Sequence, residues 1–211
     1  MSKPRGSTGL EAVLQRASPG ERGATRRAVL RHALACFNET GIEAATIEDL
    51  RQRSGQSVGS IYHHFGNKEG VAAALFFAAF DDQTRAIAAR TEGAADGHAV
   101  VAALIGAYAG WVTALPELAA FLFMARETIA QGPHGDALRE RLQARYDPID
   151  QRLAEGVRQG QIAELPAELI PALVLGATES YCRAWLAGRR AAAPSAFAGL
   201  LAEAAWRSIA A

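Results

Sequence analysis

Between Ser57 and Lys68 the chain gathers hydroxyls at Ser57, Ser60 and Tyr62, adjacent imidazoles at His63 and His64, and one of its two lysines, Lys68. Adjacent residues on a helix point in different directions, and no Cys, Asp or Glu joins these histidines at ligand spacing, so metal coordination is the poorer reading. A Walker loop, GxGxxG, HExxH and paired CxxC are all absent from the sequence. Catalysis therefore lacks the usual motifs that support it. What remains is recognition: short or aromatic hydrogen-bonders and a cation suit phosphate oxygens and base edges. Gly59 lacks a side chain and allows a close approach.

The elements that must position these groups are short. Thr46, followed by Glu48 and Asp49, is an N-cap signal for a helix to about Arg53. Gly55 then supplies a tight turn, Ser57 can cap a second short helix, and Gly66 ends it. Ile47 and Leu50 on the first helix are spaced to pack on Ile61 and Phe65 of the second, which leaves Gly59, Ser60 and His63 on the other face. That is the build of a helix-turn-helix, whose second helix enters the DNA major groove. Lys68, opening the next helix, can grip a phosphate together with backbone N–H groups. Val58 is ambiguous: its spacing to Ile61 and Phe65 suggests core, yet a groove-facing Val would meet a thymine methyl.

The rest of the chain reads as helix. Of 211 residues 47 are Ala, with Val, Ile and Thr sparse, which points to an all-α protein. Gly and Pro divide it into about nine helices near 24–40, 46–53, 57–65, 67–90, 97–115, 116–130, 136–159, 166–190 and 194–210, the seventh bent at Pro148. Residues 1–20, with Pro4, Gly6, Gly9, Pro19 and Gly20, read as a flexible arm around Leu10, Val13 and Leu14. Two cysteines, Cys36 and Cys182, rule out a disulfide framework. No apolar run reaches 18 residues and the N-terminus lacks a signal-peptide core, so the expectation is a cytoplasmic protein without membrane contact. The formal charge is zero overall, but residues 1–70 carry +3 and the remainder −3. The neutral total therefore hides a slightly basic head on an acidic body.

Residues 24–75 closely resemble the DNA-binding domain of the TetR (tetracycline-repressor-like) regulators. The run Ser57-Val-Gly-Ser-Ile-Tyr-His-His-Phe-Gly-Asn-Lys-Glu is similar to that family's recognition helix and the entry to its next helix. The resemblance implies a three-helix DNA-binding domain over 21–70 after the arm, then a helical ligand-binding and dimerisation domain over 71–211. It also implies a homodimeric, nucleoid-associated repressor, released by an unidentified small molecule from a pseudo-palindromic double-stranded operator, with no cofactor, metal or enzymatic activity. Thr46, Tyr62, His64 and Lys68 would hold phosphates. Ser60, His63, Val58 and Arg51 would choose sequence, with Ser57 and Gly59 completing the DNA-binding set. Lys3, Arg5 and Arg16 of the arm would add contacts. Two positions depart from the family pattern: Arg51 stands where a small residue is usual, and Gln56 where an apolar one is.

In the body, Tyr108, Trp111, Phe121, Phe123 and Met124 cluster around Pro116, and Tyr146, Tyr181 and Trp185 follow later. The simpler reading is a helical core. The sharper one is a pocket, with Tyr108, Trp111, Phe123, Arg126, Glu127, Tyr181 and Trp185 as ligand contacts and Arg126 orienting an anionic or carbonyl-bearing effector. Small residues in the last two helices (Gly176, Ala177, Ala184, Gly188, Ala198, Gly199, Ala202) permit close approach, and the resemblance implies that these helices pair two protomers. The alternative is a helical small-molecule- or partner-binding protein without operator binding.

Overall fold

The computed structural model describes residues 6–211. Strong helix formers and Gly/Pro punctuation leave one regular element, the helix, and it occurs ten times among these residues. The order is α1 (Gly6–Ala17), α2 (Ala24–Thr40), α3 (Ile47–Ser54), α4 (Val58–Phe65), α5 (Lys68–Thr91), α6 (Gly97–Ala114), α7 (Pro116–Gln131), α8 (Gly135–Arg158), α9 (Ile170–Leu186) and α10 (Ala198–Ile209). Single 3-10 turns precede α2 (Glu21–Gly23) and α10 (Pro194–Phe197). The described residues contain no strand, only an isolated antiparallel bridge between Ile162 and Ala210. The all-α reading holds.

The tenth helix is the difference from the nine expected. Residues read as a flexible arm form α1, because Leu10, Val13 and Leu14 share one helical face and that face finds a place to bury. Val13 and Leu14 are almost fully covered, and α1 packs on α2 and α7. The gain from burying such side chains, about 1.5–3 kcal/mol each, outweighs the weak propensity of Gly9. Arg16, assigned to arm contacts with DNA, instead places Nη2 2.6 Å from Asp82 Oδ1. Lys3 and Arg5 lie outside the described residues. α9 also starts later than expected, at Ile170 rather than Pro166, and α8 runs through Pro148 without ending.

Two compact units form: one holds residues up to Asp82 together with Ala114–Asp136, the other Gln83–Thr113 and Ala137–Ala211. This grouping is discontinuous in sequence, whereas the division expected at residue 70 is contiguous. In the first unit α2 is central, packing on α1, α3 and α7. Phe37 stacks on Phe121 at 5.8 Å between ring centroids, so α7 braces the helix from which α3 and α4 are hung. In the second unit α9 pairs with α10 and α6 supplies much of the core through Val100, Leu104, Ile105, Tyr108 and Trp111. With a mean hydropathy of 1.4, α6 is long and apolar enough to cross a membrane, but most of it is buried inside the unit.

Candidate nucleic-acid interface

The α3–turn–α4 segment is built by local rules. Thr46 is the N-cap of α3 in an extended conformation. Its Oγ1 accepts from the Asp49 N–H, and the Asp49 carboxylate accepts from the Thr46 N–H at 2.9 Å, which closes a capping box. The turn depends on Gly55, which holds a left-handed φ of 68° while its N–H caps Arg51 O. Ser57 then caps α4, its Oγ accepting the Ser60 N–H at 3.1 Å. α3 and α4 pack on each other, and Leu50 of the first and Ile61 of the second are both fully buried. Ile47 and Phe65, expected to join them, are half-buried.

What faces outward is the polar set. Thr46, Ser57, Val58, Gly59, Tyr62 and His63 are exposed, while Arg51, Ser60, His64 and Lys68 are half-buried. Tyr62 keeps half of its surface in solvent and Val58 38%, so Val58 is no core residue. Gly59 is informative in a different way. A Cβ built there meets nothing within 4 Å, so the fold does not demand glycine, although glycine inside a helix costs about 1 kcal/mol relative to Ala. Gly55-Gln56-Ser57-Val58-Gly59 also spells the GxSxG pattern of serine hydrolases. That chemistry needs a strand-to-helix elbow, whereas Ser57 follows α3 and serves as a helix cap.

Three groups are already engaged within the unit. Arg51 chelates Glu48 through Nε at 2.8 Å and Nη2 at 2.6 Å, and with Gln52 this pulls the Glu48 carboxyl down to about 2. Lys68 Nζ donates to Glu43 O at 2.7 Å, and Arg53 pairs with Glu39 at 2.7 Å. Sequence reasoning passed over Arg26. Its Nη1 donates to His64 O at 2.7 Å and its guanidinium lies over the Phe65 ring at 4.6 Å, so α2 fixes the C-terminal end of α4. Burial lowers the pKa of this guanidinium below its ordinary value. Arg26 and His64 are 38 residues apart, and no periodicity reports such a bond.

The expected ligand residues divide between the two units. In the first, Phe123 and Arg126 are half-buried and Glu127 is exposed and bonded to Gln131. In the second, Tyr108 and Trp111 are buried, and the Tyr108 hydroxyl donates to Glu179 Oε1 at 3.2 Å. Tyr181 donates to Ala192 O at 3.0 Å with its ring edge-on to Phe197, and Trp185 is half-buried. The second unit also holds a cavity of about 360 Å³ between α6, α8 and α9, lined by Leu104, Tyr146, Asp147, Asp150, Ile170 and Val174 among others. None of the expected ligand residues lines it. The missed signal was Asp147 and Asp150 at i, i+3, which share a helix face beside Tyr146. Cys182 is fully buried, and burial pushes its thiol up to about 12, which is the environment of an inert thiol. No group of three or more His, Cys, Asp or Glu among the described residues is arranged to hold a metal.

Comparison with known proteins agrees with this geometry. Residues 29–75 match the family described as bacterial regulatory proteins, tetR family. The repressor AcnR of Corynebacterium glutamicum is 45% identical over 51 residues, 24% of this chain and 27% of that protein. The repressor Rv1474c of Mycobacterium tuberculosis is 44% identical over 66 residues, 31% of this chain and 33% of that protein. The matches thus span about a third or less of these relatives' length. Similarity of fold extends much further. A TetR family regulator from Marinobacter aquaeolei VT8 superposes with a TM-score of 0.75 over 88% of this chain and 95% of that one, at 17% identity. The ketosteroid regulator KstR2 of Mycobacterium tuberculosis gives 0.72 over the same shares, at 19% identity. A sequence matching the tetR family description over residues 29–75 is thus carried on a fold that this chain shares with solved TetR family regulators.

Proposed function

We propose that the chain is a sequence-specific DNA-binding transcriptional regulator, acting as a homodimeric repressor in the cytoplasm, on the nucleoid. The observation that carries this reading is α4: an eight-residue helix, capped at both ends and packed on α3, with an outer face of Gly59, Tyr62, His63 and exposed Val58. In the major groove, Val58, Ser60, His63 and Arg51 read base edges. Thr46, Ser57, Tyr62, His64 and Lys68 grip the flanking phosphates, and Gly59 lets the backbone close in. Two copies pair through α9 and α10, whose outer faces carry exposed small residues (Gly176, Ala177, Gly199) and Leu200, 71% exposed. Their heads then reach half-sites of a pseudo-palindrome about one helical turn, 34–36 Å, or a related spacing apart. A small-molecule effector bound in the helical body favours a conformer with misplaced heads and so empties the operator. Tyr108, Trp111, Phe123, Arg126, Glu127, Tyr181 and Trp185 remain candidates to contact it. The curated relatives are named repressors, which supports the direction of control.

The test is selection of bound sequences from random duplex DNA, followed by mobility shifts on the winner at several salt concentrations. Enrichment of an inverted repeat, with affinity falling steeply as salt rises, is the expected result. If no sequence is enriched and the chain binds no duplex, the proposal fails and a helical partner- or ligand-binding protein takes its place.

A further inference from the structure

The cavity between α6, α8 and α9 has an uneven chemistry. Its floor is apolar and buried: Leu104 is 2% exposed and Val174 3%. Its rim carries the carboxylates Asp147 and Asp150, both exposed on α8, with Tyr146 between the two zones. No Arg, Lys or His is among the lining residues. The two arginines nearest in sequence are engaged elsewhere: Arg145 is buried and turned to α5, donating to Thr84 Oγ1 at 2.7 Å and Gln83 Oε1 at 3.0 Å, and Arg152 donates to Ala94 O. The two rim carboxylates therefore face the cavity without a counter-charge from its walls. Burial, and secondarily the Asp147 charge, raises the Asp150 carboxyl above its ordinary value. A volume of about 360 Å³ lies within the range of small-molecule sites, and it is too apolar at its base for a simple hydrated ion.

We infer that this cavity takes an amphipathic organic cation: an apolar body against Leu104 and Val174, with its ammonium between Asp147 and Asp150. Charge complementarity selects the cation over the anionic or carbonyl-bearing effector suggested by Arg126, which lies on α7, outside the cavity. A cation entering this site gains the attraction of two carboxylates at a mouth where apolar walls lower the effective dielectric. An alkyl carboxylate meets the same two charges as repulsion. The inference rests on the effector-controlled reading above only for its regulatory consequence, and binding itself is independent of it.

The probes are decylammonium, decanol and decanoate, which share one apolar chain and differ in head-group charge, each used below its aggregation threshold. Titration calorimetry on the full chain is expected to rank decylammonium about tenfold or more above decanol, with decanoate weakest. The double variant Asp147→Asn, Asp150→Asn is expected to erase that ranking while leaving decanol binding unchanged. Both side chains are exposed, so the fold tolerates the change. Leu104→Trp fills the floor and is expected to abolish binding of all three. Equal affinities for the three probes, a preference for decanoate, a ranking that survives the double variant, or no binding because a second copy covers the groove would each overturn the proposal. DNA affinity is followed separately by fluorescence anisotropy on the selected duplex. Asp-dependent decylammonium binding that leaves DNA affinity untouched would sink effector control and keep the ligand class.

Discussion

Most of the groups shifted by pairing lie in the first unit and most of those shifted by burial in the second, the exceptions being Glu155, held down by Arg158 in the second, and the buried Arg26 of the first. In the first, acids stay charged because a cation sits on each: Arg51 on Glu48, with that carboxyl near 2, and Arg31 on Glu11, whose carboxyl is also pulled down. In the second, groups are pushed toward neutrality by burial: the Cys182 thiol to about 12, the Tyr108 phenol upward and the Asp150 carboxyl upward. Pairing at a wet surface keeps charges available for exchange with another charged surface. Desolvation without a counter-ion leaves a site that favours whatever supplies the missing charge. The contrast fits a polyanion-facing head and a ligand-facing body.

The largest effect expected of this contrast is at Cys182. A thiol held near 12 reacts with a maleimide or disulfide reagent at pH 8 about a thousandfold more slowly than after unfolding. Fast labelling of the native chain would break the contrast. The sign follows from the raised value: the neutral thiol's contribution to stability is complete below the unfolded value of 9.0 and is lost as pH climbs toward 12. Leu50→Ala comes next, costing about 2–5 kcal/mol in a denaturant titration by emptying a fully buried position; no loss would mean that α3 and α4 do not share a core. Tyr62→Ala should then weaken binding to all duplexes by about tenfold and leave the denaturation midpoint in place. A change confined to certain sequences would move Tyr62 from phosphate to base contact.

Smaller effects separate fold from function more finely. Gly59→Ala should stabilise α4 by up to about 1 kcal/mol while weakening DNA binding, because the methyl group occupies open space that the groove needs. Gains in both would remove the close approach. Glu48→Gln should raise duplex affinity about two- to threefold by releasing Arg51, given the small worth of exposed pairs. The depressed Glu48 value also fixes an acid-side sign: its stabilisation is present above the ordinary 4.5 and lost as pH falls through about 2. The variant's stability curve should be flatter between those limits, and an unchanged acid limb would show that the Arg51 pair does not persist in solution.

Much of the head is legible in the sequence because its determinants are local. A cap, a turn glycine and a four-residue repeat of apolar side chains act over a few residues, so Thr46, Gly55 and Ser57 announce their roles, and Leu50 and Ile61 their burial. α1 was hidden because glycines in its stretch and the prolines that flank it argue for a loop, and only the neighbours α2 and α7 supply the surface that Val13 and Leu14 bury against. The intramolecular bonds of Arg26 and Lys68 were not legible, since their backbone partners, His64 O and Glu43 O, lie 38 and 25 residues away. The cavity was not legible for a similar reason. Aromatic residues drew the eye to Tyr108, Trp111 and Trp185, while the space formed where α6, α8 and α9 fail to close and an acidic pair borders it.

Sequence alone determined the helices after α1, the caps and turn of α3 and α4, the burial of Leu50 and Ile61 and the polar face of α4. Propensity, capping and amphipathic period are interactions between residues a turn or two apart, and those are written in order along the chain. Only the tertiary structure decided that residues 6–17 are helical, that Arg26 anchors α4, that Arg51 is held by Glu48 rather than left free, and that a carboxylate-rimmed cavity opens in the second unit. Each of these turns on burial, rotamer or the meeting of distant segments, and the free energy of such contacts depends on neighbours that sequence order does not bring together.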